Sequence, residues 1–159
     1  MVKNNNPGNI RLSNDVWKGQ VIPGTSSDFV TFKDLPYGYR ALFILLQNYI
    51  RSGYDTIQAI ISKYAPESEN PTGNYINFVG NYTGIPIYQR INSTDIPKIY
   101  SIGVAISRFE TGVLPDISAA RDGLNMAFTP GTTPDEKETG GLYLIMAGIL
   151  TAILFSKGS

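Results

Sequence analysis

Between Asp34 and Gly53 the large apolar residues fall at Tyr39, Leu42, Phe43, Leu46 and Ile50, a spacing of three and four that lays one buried stripe along a helix. Asp34 can cap its start, Pro36 falls in its first turn, and Gly53 ends it. The same grammar recurs downstream. Asp55 opens a shorter helix with Ile57, Ile60, Ile61 and Tyr64 on one face, closed before Pro66. Asn70 with Pro71 opens a third, which carries Tyr75, Phe78, Val79 and Tyr82 and stops at Gly84. A fourth runs from Asp95 to Glu110 with Ile99, Ile102, Ile106 and Phe109 on its buried side, broken by Thr111 and Gly112, and a short helix over Asp116 to Ala127 follows. Ahead of all five, Val21 and Ile22, a turn at Pro23 and Gly24, and the alternating Phe29 to Phe32 predict a hairpin over residues 20 to 32. The expected class is mostly α (α+β), with a small β region near the N-terminus.

These elements belong to a globular domain over residues 1–128, since Thr129 to Thr139 (TPGTTPDEKET) has no apolar periodicity and reads as a linker. Beyond it, Gly140 to Phe155 is uncharged and apolar all round, with no polar stripe. Residues 140–156 therefore read as a membrane anchor at the short end of the roughly 17 to 25 residues that span a bilayer. The competing reading is a buried terminal core helix. At the other end, Met1 to Asn9 is polar and asparagine-rich, with no apolar core of a cleavable signal peptide.

Composition narrows the chemistry. Thirteen basic and thirteen acidic residues cancel, so no bulk field draws the chain to nucleic acid, and no nucleic-acid partner is expected. The sequence has no cysteine and no histidine, which removes thiolate nucleophiles, His-based triads and the usual zinc ligands. No metal and no cofactor is expected, and catalysis has to run on carboxylates, lysine, tyrosine or hydroxyls.

Five blocks carry a resemblance when taken in order: Asn4 to Arg11 (NNNPGNIR), Trp17-Lys18-Gly19, Phe29 to Leu42 (FVTFKDLPYGYRAL), Tyr64 to Tyr75 (YAPESENPTGNY) and Ala105 to Gly112 (AISRFETG). The chain resembles a family of phage virion-associated peptidoglycan hydrolases, lysozyme-like muramidases or lytic transglycosylases, over nearly all of residues 4–115. The resemblance implies a lysozyme-like helical domain acting on the glycan strands of bacterial peptidoglycan. AISRFETG is similar to the helix end at which lysozyme-like glycosidases place their catalytic Glu, which implies Glu110 as that residue. NNNPGNIR followed by WKG and an aromatic strand resembles the substrate-cleft region of such enzymes. Here the Glu helix follows that region, the reverse of the ordinary order, which implies a permuted arrangement or a different acid.

Glycoside cleavage needs a carboxylic acid to protonate the leaving oxygen, and an apolar setting favours its protonated form. Glu110 follows Phe109 at the end of an apolar helix, where the break at Gly112 presents it at an edge. Position alone equally allows a solvated carboxylate paired with a neighbouring Arg. Glu67 and Glu69 compete, on a loop between helices, although Glu69 and Asn70 also suit helix capping. For a second carboxylate Asp15, Asp28, Asp34 and Asp116 are available, and no spacing selects among them. Asn6, Asn9, Arg11 and Trp17 are candidate substrate-binding residues, since amides and guanidinium donate to hydroxyls and carboxylates and an indole face stacks on sugars. Asn4 to Gly8 could equally be a turn, and Trp17 a core anchor. Most tyrosines are expected to pack with their hydroxyls reaching solvent. The expected function is cleavage of peptidoglycan glycan strands by a virion-associated enzyme anchored to a lipid membrane, in contact with other virion proteins. The alternative is a non-enzymatic structural or glycan-binding virion membrane protein.

Overall fold

A computed structural model describes residues 1–66 and 71–129. After a 3-10 turn at Lys3–Asn5 come α1 (Leu35–Arg51), α2 (Ile57–Tyr64), α3 (Thr72–Thr83), α4 (Ile96–Thr111) and α5 (Ile117–Phe128). The molecule is mostly helical, as the periodicity predicts. Helix α1 is the centre: α5 packs along it most extensively, α4 crosses it, and α3 lies between α2 and α4. Its Tyr39, Leu42, Phe43 and Leu46 are buried against Ile57, Ile60 and Ile61 of α2 and Ile99, Ile102 and Ile106 of α4 in one continuous core. Removing such side chains from water is the main term that favours the fold.

Helix ends follow local chemistry with two corrections. Asp95 accepts from the Lys98 N–H at 3.3 Å and Asp116 from the Ala119 N–H at 2.9 Å, while Gly84 and Gly112 end α3 and α4 at φ of 70° and 67°. The cap of α2 is Thr56, whose hydroxyl accepts from the Ala59 N–H at 3.1 Å, and not Asp55, which pairs with Arg90 at 2.6 Å instead. Asp34 precedes α1 but makes no capping bond, and its Oδ1 is buried without a hydrogen-bond partner among the described residues.

The expected β region is reduced to two isolated bridges, Arg11 with Phe29 and Gln20 with Phe32, and no strand forms among the described residues. The cause is a change of partner within one short segment. Leu12 and Val30 N–H groups close the pair of residues 10–12 with 28–30, Val21 N–H donates to the Thr31 carbonyl at 2.8 Å, and Phe32 N–H donates to Asn4 at 2.9 Å. No two segments stay together long enough to make a ladder, and Gly19 at φ 77° turns the chain away.

Among the described residues no helix is long and apolar enough to cross a membrane. The anchor read at 140–156 and the linker beyond Thr129 lie outside the described residues, as do Glu67, Glu69 and Asn70.

The N-terminal loop is nailed to this frame by its asparagines. Asn6 is buried, its amide donating to the Ile10 and Val30 carbonyls at 2.9 Å each while its Oδ1 accepts from the Ile10 N–H at 2.9 Å. Asn5 donates to the Phe32 carbonyl at 3.1 Å. The loop meets α1 at Gly38, where a Cβ would stand 2.0 Å from the Asn5 carbonyl oxygen and 2.6 Å from Pro7 Cδ. Gly8 is also tight, with a would-be Cβ 2.5 Å from the Tyr64 hydroxyl. The glycine of PYGYRAL thus lets two backbones touch, and that of NPGNI lets the Tyr64 and Leu42 side chains press on the loop.

Candidate functional site

Glu110 sits one residue from the end of α4, half-buried on the wall of a cleft of about 600 Å³. The final turn is held by Ser107, buried and sharing a 2.9 Å hydrogen bond with the Tyr39 hydroxyl, and by Thr111, whose hydroxyl donates to the Ser107 carbonyl at 2.7 Å. Phe109, placed by periodicity on the buried side, is in fact partly exposed. Its ring lies flat on Tyr75, with centres 3.8 Å apart and planes at 14°, and Phe78 leans on it at 5.2 Å. This stack couples α3 to the turn that carries the carboxylate.

Both oxygens of Glu110 are held by uncharged donors. The Tyr75 hydroxyl donates to Oε1 at 2.8 Å and the Asn9 amide to Oε2 at 2.9 Å. The same Asn9 nitrogen lies 3.4 Å from the Glu110 carbonyl oxygen, which requires a donor and so fixes which way the amide faces. Among the described residues Glu110 takes no ion pair; the pairs are Arg90 with Asp55 and Lys98 with Asp95. The alternative of a carboxylate neutralised by a neighbouring Arg is therefore not what the structure contains.

Asn9 reaches this position because its backbone adopts φ 47°, a left-handed conformation that asparagine tolerates better than most residues. Just before it, the Tyr64 hydroxyl donates to the Gly8 carbonyl and ties the loop to the end of α2. Burial, and then the negative charge of Glu110, push the Tyr64 hydroxyl well above its ordinary range. Tyr75 is pushed up as well, first by burial, then by Tyr64 and Glu110. Both phenols remain protonated and able to donate throughout the working range of pH.

The other proposed contacts divide. Asn9, Arg11 and Trp17 line the cleft together with Glu110, so residues from the chain's first eighth and from α4 converge. Asn6 is corrected: it is turned inward, and main-chain atoms occupy its amide, because closing the loop needs those bonds. Trp17 is half-buried at the cleft wall, and its indole N–H has no partner among the described residues. Of the spare aspartates, Asp15 lines the cleft, whereas Asp34 and Asp116 stand at helix starts. Tyr49, Tyr64, Phe29 and Leu45 add an aromatic and apolar wall, the setting in which ligands are held by faces and oriented by a few polar atoms.

The hydroxyls of Tyr64 and Tyr75 are the part of the site the sequence did not disclose. Most tyrosine hydroxyls were expected to reach solvent; these two instead reach inward to the Gly8 carbonyl and to Glu110. Tyr75→Phe keeps the stack on Phe109 but leaves Oε1 without its donor. We expect turnover to fall about tenfold, the worth of one hydrogen bond to a charged group, with the thermal midpoint little changed. Steady-state kinetics beside a melting curve checks this, and unchanged turnover would remove Tyr75 from the site.

No protein-family model matches the chain. Protein P5 of Pseudoalteromonas phage PM2 is 40% identical over 104 residues, which cover 63% of this chain and 65% of that protein. The match spans less than two thirds of the relative's length. The chain is related to a bacteriophage protein.

Proposed function

We propose that this protein cleaves the glycan strands of bacterial peptidoglycan as a component of a phage particle, with Glu110 as the general acid. The observation that carries the reading is the Glu110 carboxylate on the cleft wall with one neutral donor on each oxygen. A protonated Glu110 delivers its proton to the leaving glycosidic oxygen and becomes a carboxylate. Tyr75 and Asn9 already face its two oxygens, and their hydrogen bonds strengthen as the charge develops. The donors thus favour the transition state over the ground state, which is the requirement for catalysis. The oxocarbenium-like sugar is then captured by water or by one of the sugar's own hydroxyls; Asp15 is the carboxylate that the cleft offers to the first route. The resemblance of NNNPGNIR and AISRFETG to cell-wall glycosidases supports the substrate class, and the phage relative supports association with a virion. The apolar run of residues 140–156 supports attachment to a lipid membrane, a reading that rests on sequence alone.

Mass spectrometry of purified walls digested with the full chain tests the reading. New glycan ends are expected, reducing ends for hydrolysis and anhydro ends for transglycosylation. Free stem peptides or new amino termini would overturn it, and wall binding without any new end would favour the structural alternative.

A further inference from the structure

The peptide unit that joins Gly8 to Asn9 is held at both of its polar atoms. Its oxygen, the Gly8 carbonyl, accepts from the Tyr64 hydroxyl, and the Asn9 N–H donates to the Asn6 carbonyl at 3.2 Å. A peptide unit is planar, so fixing both of its edges leaves it little freedom to turn about the chain. The plane in turn sets where the Asn9 Cα stands, at φ 47°, and which way its side chain leaves. That side chain is the one whose amide lies 2.9 Å from Glu110 Oε2.

Of these two anchors Tyr64 is the one that comes from outside the loop. It is the last residue of α2, whose Ile57, Ile60 and Ile61 are fully buried, so its ring starts from a packed and stiff base. A Cβ on residue 8 would also stand 2.9 Å from Leu42 Cδ1, so a glycine there is what admits the phenol between loop and core. Burial pushes the Tyr64 hydroxyl well above its ordinary range, so it stays protonated and donating across the working range of pH. Tyr64 also lines the cleft, which makes direct contact with a ligand the rival role for it. Resting on the glycan-cleavage reading above, we infer that Tyr64 is a positioning residue: by holding the Gly8–Asn9 peptide it keeps the Asn9 amide on Glu110, and it sets turnover through that amide.

The test uses the full chain and soluble, uncrosslinked glycan strands from bacterial wall. Tyr64→Phe removes one oxygen and keeps the ring. It should lower kcat about fivefold, leave KM within about twofold and keep a cooperative melt. Added to Asn9→Ala, it should cost less than about a further twofold, since the tie then has no amide to place. Tyr64→4-aminophenylalanine returns a donor to the same position and should bring turnover back to within about twofold of the wild type. Nuclear magnetic resonance reads the same arrangement without any substrate. The Asn9 side-chain amide protons, assigned by their loss in Asn9→Ala, should move in Tyr64→Phe toward the shifts of a free amide. Independent losses in the double variant, a loss carried by KM, unmoved amide signals or collapse of the fold would each overturn the inference. The two readings fail separately: amide signals that move with Tyr64 in a chain that makes no new glycan ends overturn glycan cleavage alone, whereas cleavage at the native rate by Tyr64→Phe overturns the role of Tyr64 alone.

Discussion

Glu110→Gln should lower the rate of wall clearing by about a hundredfold to ten-thousandfold while the helical spectrum stays unchanged, since the amide keeps the shape of the side chain but has no acidic proton to give. The site adds a detail to this expectation. A carboxylate accepts from Tyr75 and Asn9 at once, but a glutamine has one carbonyl oxygen, so it can accept from only one of them. With the carbonyl oxygen turned to the Asn9 amide, the NH₂ group donates to the Tyr75 hydroxyl, which accepts in its turn, so both contacts persist as neutral hydrogen bonds and the variant should lose no more than about 1 kcal/mol of stability. Turbidity of a wall suspension and a thermal melt read the two effects separately. Clearing at the native rate would remove Glu110 from its role and direct attention to Glu69.

Gly38→Ala should have the largest effect on the fold. In a helix interior this exchange ordinarily stabilises by about 1 kcal/mol. Here the added carbon would stand 2.0 Å from a main-chain oxygen of Asn5, and neither backbone is a flexible side-chain tip that can swing aside. Overpacking of this kind costs typically about 1–3 kcal/mol, and the contact is tight enough to expect the upper end, a fall in thermal midpoint of about 10 °C. Relief requires residues 5–7 to lift from α1, and that moves Asn9 away from Glu110, so turnover should fall with the midpoint. Gly73→Ala is the control, because nothing among the described residues stands within 4 Å of its would-be Cβ. Differential scanning calorimetry decides it; a Gly38→Ala midpoint equal to that of the control would mean that the loop does not need this contact.

The helices were legible because each buries a stripe, and a stripe is written in the spacing of Leu, Ile, Phe and Tyr. Asp95, Asp116, Gly84 and Gly112 marked ends correctly for the same local reason: a cap depends on atoms within four residues. Asp34 and Asp55 misled because their side chains have other surroundings, an ion pair with Arg90 in the case of Asp55. Alternation around Phe29 to Phe32 was real, but whether it becomes a strand depends on partners holding register, and three different segments share the hydrogen bonds. In the site, spacing could nominate Asn9, Arg11, Trp17 and Glu110 as residue types. It could not tell Asn6 from Asn9, three residues apart, because one amide closes a loop and the other reaches across the molecule. The tyrosines show the same limit: periodicity says that Tyr75 faces inward, and only the fold says what its oxygen meets.

Glu110 and the Asn9 amide that holds it are 101 residues apart. Closing a chain segment of that length over one hydrogen bond is entropically unfavourable unless the intervening helices have already brought the ends together. The site therefore has no existence in any fragment that lacks either α4 or the first turn of the loop. A chain still growing on the ribosome carries α1, α2 and α3 without a held carboxylate, and the wall-directed chemistry proposed for it comes into being only after the fourth helix has been made and docked. Timing of that kind is a property of chain order, separate from anything in the cleft itself.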